Sequence, residues 1–194
     1  MMLDYTGFIV LGVILLIVFL VIYNIYVQLI IKKNKVKEAM AGVDVQLNKR
    51  YDLIPNILVI ANKFMEHEKE LISEVTKLRT QAASLKSQPD TIAQKFDLDN
   101  QIASKMDKLL VSVENYPQLK SDQTMLQAMQ TYNEVEEHIA AARRFYNSAV
   151  NELNNAVEIF PSSVVASSLG ITCCPFYEAS EAAKSSVNAS DYLK

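Results

Sequence analysis

The sequence predicts an all-α protein. An N-terminal transmembrane helix is continuous with an antiparallel, up-and-down bundle of three long helices and a short C-terminal helix. Three observations carry this. Residues 8–31, FIVLGVILLIVFLVIYNIYVQLII, hold 24 residues without a charge and run into KKNKVK. The 194-residue chain has four Gly, no Trp and long tracts rich in Ala, Leu, Gln, Glu and Lys, the composition of helices. Apolar residues then recur every three or four positions along three further stretches, the period of a helix with one buried face.

The apolar stretch comes first. At about 1.5 Å per residue it is long enough to cross a bilayer. It does not read as a cleavable signal peptide: MMLDYTG has no Lys or Arg, the apolar run is too long, and no Ala-x-Ala follows. Lys32, Lys33, Lys35 and Lys37 stand after the span, whereas Asp4 is the one charged side chain before it. The positive-inside rule therefore places the N-terminus outside and the C-terminal bundle in the cytosol, with Tyr23 and Tyr26 in the interfacial belt. Three regions follow: residues 1–31 as tail and transmembrane helix, 32–185 as cytosolic bundle, 186–194 as flexible tail.

No breaker follows Ile31. Val36, Met40, Val43, Leu47, Ile54, Leu58, Ala61, Met65, Ile72, Val75 and Ala82 continue one apolar face, so span and first cytosolic helix read as one rod to about residue 86. Pro55 removes a helical N–H and crowds the Tyr51 carbonyl, so a kink or short break is expected there. LKSQPDT, residues 85–91, reads as a turn with Pro89 and Asp90 opening the next helix. That second helix runs to Val113 with Ile92, Phe96, Ile102, Met106 and Leu109 on one face. ENYPQLKSD, residues 114–122, is a second turn, with Ser121 or Asp122 as N-cap. The third helix runs from about Asp122 to Glu158. Tyr132, Val135, Ile139, Ala142, Tyr146, Ala149, Leu153, Ala156 and Phe160 form a heptad seam, for packing inside the bundle or for an intermolecular coiled coil. Pro161, Gly170 and Pro175 then bound a loop with room for one helical turn. PFYEASEAAKSS reads as the short C-terminal helix.

The search for chemistry is brief. A di-iron bundle needs two Glu-x-x-His motifs. The histidines are His67 and His138, and Phe64 and Val135 stand where the glutamates belong. Cys173 and Cys174 are adjacent, which disfavours a disulfide between them. They have no His partners at zinc spacing. Neither a phosphate loop nor a Gly-x-Ser-x-Gly elbow is present. No enzymatic activity, cofactor or metal is expected. With a net charge of −3 and no basic run interleaved with aromatics, nucleic acid is not expected as a partner. The polar residues set within apolar runs are Arg50, Asp52 and Pro55 in the first helix, Asn115, Tyr116 and Pro117 at the second turn, and Arg143 and Asn147 in the third helix. They are structural or interaction candidates. A buried ion pair, such as Asp52 with an arginine, would fix helix register at a desolvation cost; surface pairs are the alternative.

These positions carry a family resemblance. AMAGVDVQLNKRYDLIPNIL, HE at 67–68, ENYPQLKSDQTMLQAM and EEHIAAARRFYNSAVNELNNAVEIFPSSVVA occur in order, with YN at 23–24 near the end of the anchor. Across about residues 23–180 the chain resembles the LemA family. The resemblance implies a short outside N-terminus, one membrane span and a cytosolic antiparallel helical bundle, and it supplies no catalytic residues. The expected function is a membrane-anchored, non-enzymatic helical scaffold. It would self-assemble into a homo-oligomer and organise or shape the bacterial cytoplasmic (inner) membrane. The alternative is a tethered adaptor that docks a signalling or proteolytic partner. The expected partners are the lipid bilayer, further copies of the chain and an envelope protein.

Overall fold

The computed structural model describes residues 2–85, 87–88 and 91–178, with side chains from residue 6. No strand occurs among them. The order is α1 (Met2–Phe64), a 3-10 turn (Glu66–Glu68), α2 (Lys69–Ser84), α3 (Ile92–Val113), α4 (Pro117–Lys120), α5 (Gln123–Glu158) and α6 (Ser162–Ser168). Two compact units divide these elements. The first is built by residues up to Ala39 with Tyr146–Pro175, the second by Met40–Phe145 with the described residues from Phe176. Both α1 and α5 contribute to each.

Helix α1 changes character along its length. Every residue from Phe8 to Tyr23 is exposed, so this stretch is apolar enough to cross a membrane and buries nothing against the chain. Burial begins at Leu29, and Val36, Met40, Val43, Leu47, Ile54, Leu58 and Ala61 follow on one side of the helix. The expected continuity holds: α1 has no break between the span and this buried face.

Pro55 does not interrupt the helix either. A proline leaves the carbonyl four residues earlier without its helical donor. Here that carbonyl belongs to Tyr51, and Arg79 on α2 donates its Nε–H to it at 2.9 Å. A tertiary hydrogen bond thus stands in for the lost backbone one.

The expected single rod to residue 86 is corrected. The helix stops at Phe64; Met65 leaves helical geometry (φ −106, ψ 68), and the chain folds back through the 3-10 turn into α2. Neither Gly nor Pro marks the place. Met65, Val75 and Ala82 are all fully buried, so the reversal keeps the apolar face on the core. Breaking the rod there makes a fourth long element in place of three.

In the second unit the cross-links give the topology. Asp44–Lys95 and Arg50–Asp99 set α1 and α3 parallel; Glu74–Lys105 and Ser87–Lys95 set α2 and α3 antiparallel. Asp99–Arg143, with Asp107 in the field of Tyr132 and Glu136, sets α3 and α5 antiparallel. The sequence α1, α2, α3, α5 therefore runs up, down, up, down, as short connections require. Asp122 caps α5 by accepting the Met125 N–H at 2.9 Å. The seam of α5 is buried at Tyr132, Val135, Ile139, Tyr146, Ala149 and Leu153, but Phe160, beyond the helix end, is 78 % exposed.

In the first unit α5 runs antiparallel to α1, with Lys35 donating to Glu152 at 2.8 Å. The loop after α5 holds a full helix, α6, which ends in a Schellman motif. Gly170 takes φ +62, its N–H reaches Ser167 at 3.1 Å, and the Ile171 N–H reaches Ala166 at 3.0 Å. Pro175–Glu178 are not helical, against the expected C-terminal helix. Tyr146 Oη donates to the Pro175 carbonyl at 3.0 Å, and the Asn154 amide pairs with both backbone groups of Cys174 (2.9 and 3.0 Å). These bonds hold the segment extended. The remainder of that expected helix from residue 179, the tail at 186–194, and the turn residues Pro89 and Asp90 lie outside the described residues.

Candidate functional site

The most concentrated chemistry lies in the core of the second unit and centres on Asp99. Its position on α3 follows from helical spacing: Phe96, Asp99, Ile102 and Met106 share the buried face. The Asp99 side chain is completely enclosed, as is Arg50 from α1. The two are ion-paired, and Arg50 Nη2 also donates to the Asp99 backbone carbonyl at 3.2 Å. Arg50 Nη1 donates to Glu136 Oε1 on α5 at 2.9 Å. Arg143 Nη2, one further stretch along α5, donates to Asp99 Oδ2 at 2.6 Å. Tyr177 Oη donates to the same oxygen.

Two guanidiniums thus meet two carboxylates, which balances the charge. That balance is what allows ionised groups to remain away from water. Burial opposes the charge on Arg50. Glu136, Tyr132 and Tyr177 together outweigh it, and the guanidinium is held above its ordinary range. Tyr177 lies flat on Phe96, with ring centroids 3.9 Å apart and 12° between planes, while the Arg143 guanidinium sits 4.2 Å above the Tyr177 ring. Burial raises the Tyr177 phenol to about 12, against the opposing pull of Arg143 and Arg50. Burial likewise raises Tyr132 and Tyr51.

A second polar knot lies on the same pair of helices. Lys95, 5 % exposed, donates to Asp44 Oδ1 at 2.6 Å and to Ser87 Oγ at 2.9 Å, and Ser87 donates to the same Asp44 oxygen at 2.7 Å.

The sequence candidates scatter around this centre. Arg50 and Arg143 converge on Asp99. Asp52 does not: it is exposed, and the buried carboxylate expected for it is Asp99. On a helix a residue two positions from Arg50 faces away from it. Pro55 is half-buried and meets the bundle through the Tyr51–Arg79 bond. Asn115 and Pro117 are exposed and Tyr116 is half-buried; they form the α3–α4 turn, with Pro117 in the first turn of α4. Asn147 is half-buried one turn after Arg143. Sequence reasoning missed Asp99, Tyr177, Arg79 and Asn154. Only Asp99 left a signal, a carboxylate at an apolar position of α3.

Chemically the centre ties helices together. Asp99 is shut from water, and its carboxylate meets two arginines and a phenol. Among the described residues no group of three or more His, Cys, Asp and Glu is placed to hold a metal ion. Cys173 and Cys174 are free thiols, and burial raises both, with Glu158 adding to the effect at Cys173.

The family model of the LemA family matches residues 39–190, which covers most of the chain. The chain belongs to the LemA family. The match begins beyond the apolar span and takes in every residue of the arginine centre. A relative, Protein LemA of Metamycoplasma hominis, is 25 % identical over 178 residues, covering 88 % of this chain and 78 % of that protein.

Proposed function

We propose that this LemA-family protein is a non-enzymatic scaffold. It is anchored in the cytoplasmic membrane by Phe8–Ile31, with its N-terminus outside and its bundle in the cytosol, and it acts by assembling with further copies of itself. The observation that carries this is α1. One helix supplies both an apolar stretch that buries nothing and a face built into the bundle core. The enclosed Asp99 centre supports the same reading, because its groups are engaged with each other rather than open to a substrate. Anchoring all copies in one plane raises their effective concentration, so weak lateral contacts suffice for assembly.

Two measurements test this. Light scattering of the protein in mild detergent should show a large homo-oligomer, and monomer alone at high concentration would overturn self-assembly. Crosslinking in membranes should give a ladder of self-adducts. One dominant adduct with a different protein would instead favour a tethered adaptor.

A further inference from the structure

We infer that the segment joining α5 to α6 is a second membrane-contacting element, seated in the headgroup region beside the lysine end of the span. This rests on the anchored reading proposed above. The sequence supplies the first observation. From Ile159 to Tyr177 the chain runs 19 residues without a charged side chain, the longest such stretch outside the span. The second is exposure. Ile159, Phe160 and Val164 are 59 %, 78 % and 62 % exposed, and Leu169 is also exposed. Large apolar side chains grouped in this way mark an interaction surface, whereas scattered ones do not.

The third observation identifies what covers the group. Glu152 on α5 pairs with Lys35 at 2.8 Å and with Lys32 at 3.8 Å, which sets it level with the lysines that end the span. Because α5 runs antiparallel to α1, the residues after Glu152 head along the span, away from its lysine end. Helix α5 continues six residues to Glu158, about 9 Å at about 1.5 Å per residue. Ala156 and Ser162 then line a groove of about 550 Å³ together with Leu29, Ile25, Leu20 and Ile17 of the span. Residues 156–162 thus lie along the part of the span that carries Tyr23 and Tyr26, where its interfacial belt is expected. An amphipathic element at that depth buries its apolar side about 5–10 Å into the headgroup and acyl boundary. The lysines at 32, 33, 35 and 37 face the anionic headgroups of the same leaflet. The occupant of the exposed surface is therefore the bilayer that the span already enters.

The absence of Trp from the chain makes the test direct. Phe160→Trp, Phe19→Trp in the span and Phe145→Trp on the exposed side of α5 each create a single tryptophan, which is excited selectively over the tyrosines. Each full-length variant is reconstituted into vesicles of phosphatidylcholine and phosphatidylglycerol, with and without brominated acyl chains. The expected result is blue-shifted emission and bromine quenching for Phe160→Trp, comparable with Phe19→Trp, and neither for Phe145→Trp. Adding Val164→Asp to Phe160→Trp should weaken the quenching. If Phe160→Trp behaves like Phe145→Trp while Phe19→Trp is quenched, the inference falls and the anchor stands. Blue emission at position 160 without quenching would mean that protein, such as a second copy, covers the site, and would overturn the inference. An unquenched Phe19→Trp would overturn the anchor and the inference together.

Discussion

Replacing Arg79 should cost stability only while Pro55 is present. Proline at position 55 leaves the Tyr51 carbonyl without its helical donor. The Arg79 Nε–H fills that vacancy at 2.9 Å in a partly buried setting. Arg79→Met keeps most of the apolar stem and deletes the donor. A carbonyl stripped of a charged partner away from bulk water should cost about 1–2 kcal/mol. In a Pro55→Ala background the alanine N–H returns to the Tyr51 carbonyl, and the same Arg79→Met change should cost about 0.5 kcal/mol or less, the scale of an ordinary surface substitution. The expected coupling is therefore about 1 kcal/mol. Urea unfolding of the four proteins in one detergent, followed by helical circular dichroism, reads it as a double-mutant cycle. If the two changes add to within about 0.3–0.5 kcal/mol, as independent sites do, Arg79 is not the replacement donor and the argument fails.

Three further outcomes are expected. Asp99→Asn leaves two arginines in the core facing a neutral partner and should destabilise by about 3–5 kcal/mol, while Arg143→Ala, which is partly exposed, should cost less, about 1–3 kcal/mol; an unchanged melting temperature in either would remove that residue from the bundle's support. Tyr177 is raised from 10 to about 12, so the folded state holds its proton more tightly than the unfolded one. The associated stability is complete below pH 10 and lost as pH rises toward 12. Tyrosinate absorbance should then show a group of tyrosines ionising only as helical signal is lost, and full ionisation of a still-folded protein would contradict this. Asn154→Ala removes two hydrogen bonds from the Cys174 backbone, which should free the segment and speed maleimide modification of Cys174 relative to Cys173; equal rates in both proteins would show that the amide does not hold it.

Much of this architecture is legible in the chain. Periodicity located the buried faces of α1, α3 and α5 because one face of a helix turned to a core leaves a repeat of three and four. The α5 start was legible because an N-cap is a local device, here Asp122 on Met125. The reversal at Met65 was not. The apolar phase of Ala61, Met65, Ile72 and Val75 passes through it unchanged, and no residue there forbids a helix. Pro55 was legible as a local disturbance of α1, but the donor that replaces its missing N–H, Arg79, was not, because it comes from another helix. The arginine centre was half legible. Arg50 and Arg143 stand out as charges within apolar runs, but their common partner lies 49 residues from one and 44 from the other. No local rule connects them.

The sequence alone therefore determined what depends on neighbours along the chain: an uncharged span long enough for a bilayer, its lysine boundary, the helical class and the faces that are buried. Only the tertiary structure decided which carboxylate the buried arginines share, where the first long helix folds back, and which residues lie beside the span after α5. Helical periodicity and capping act over one or two turns. The pairing of charges removed from water depends on which helices pack together, and that is settled by the core as a whole.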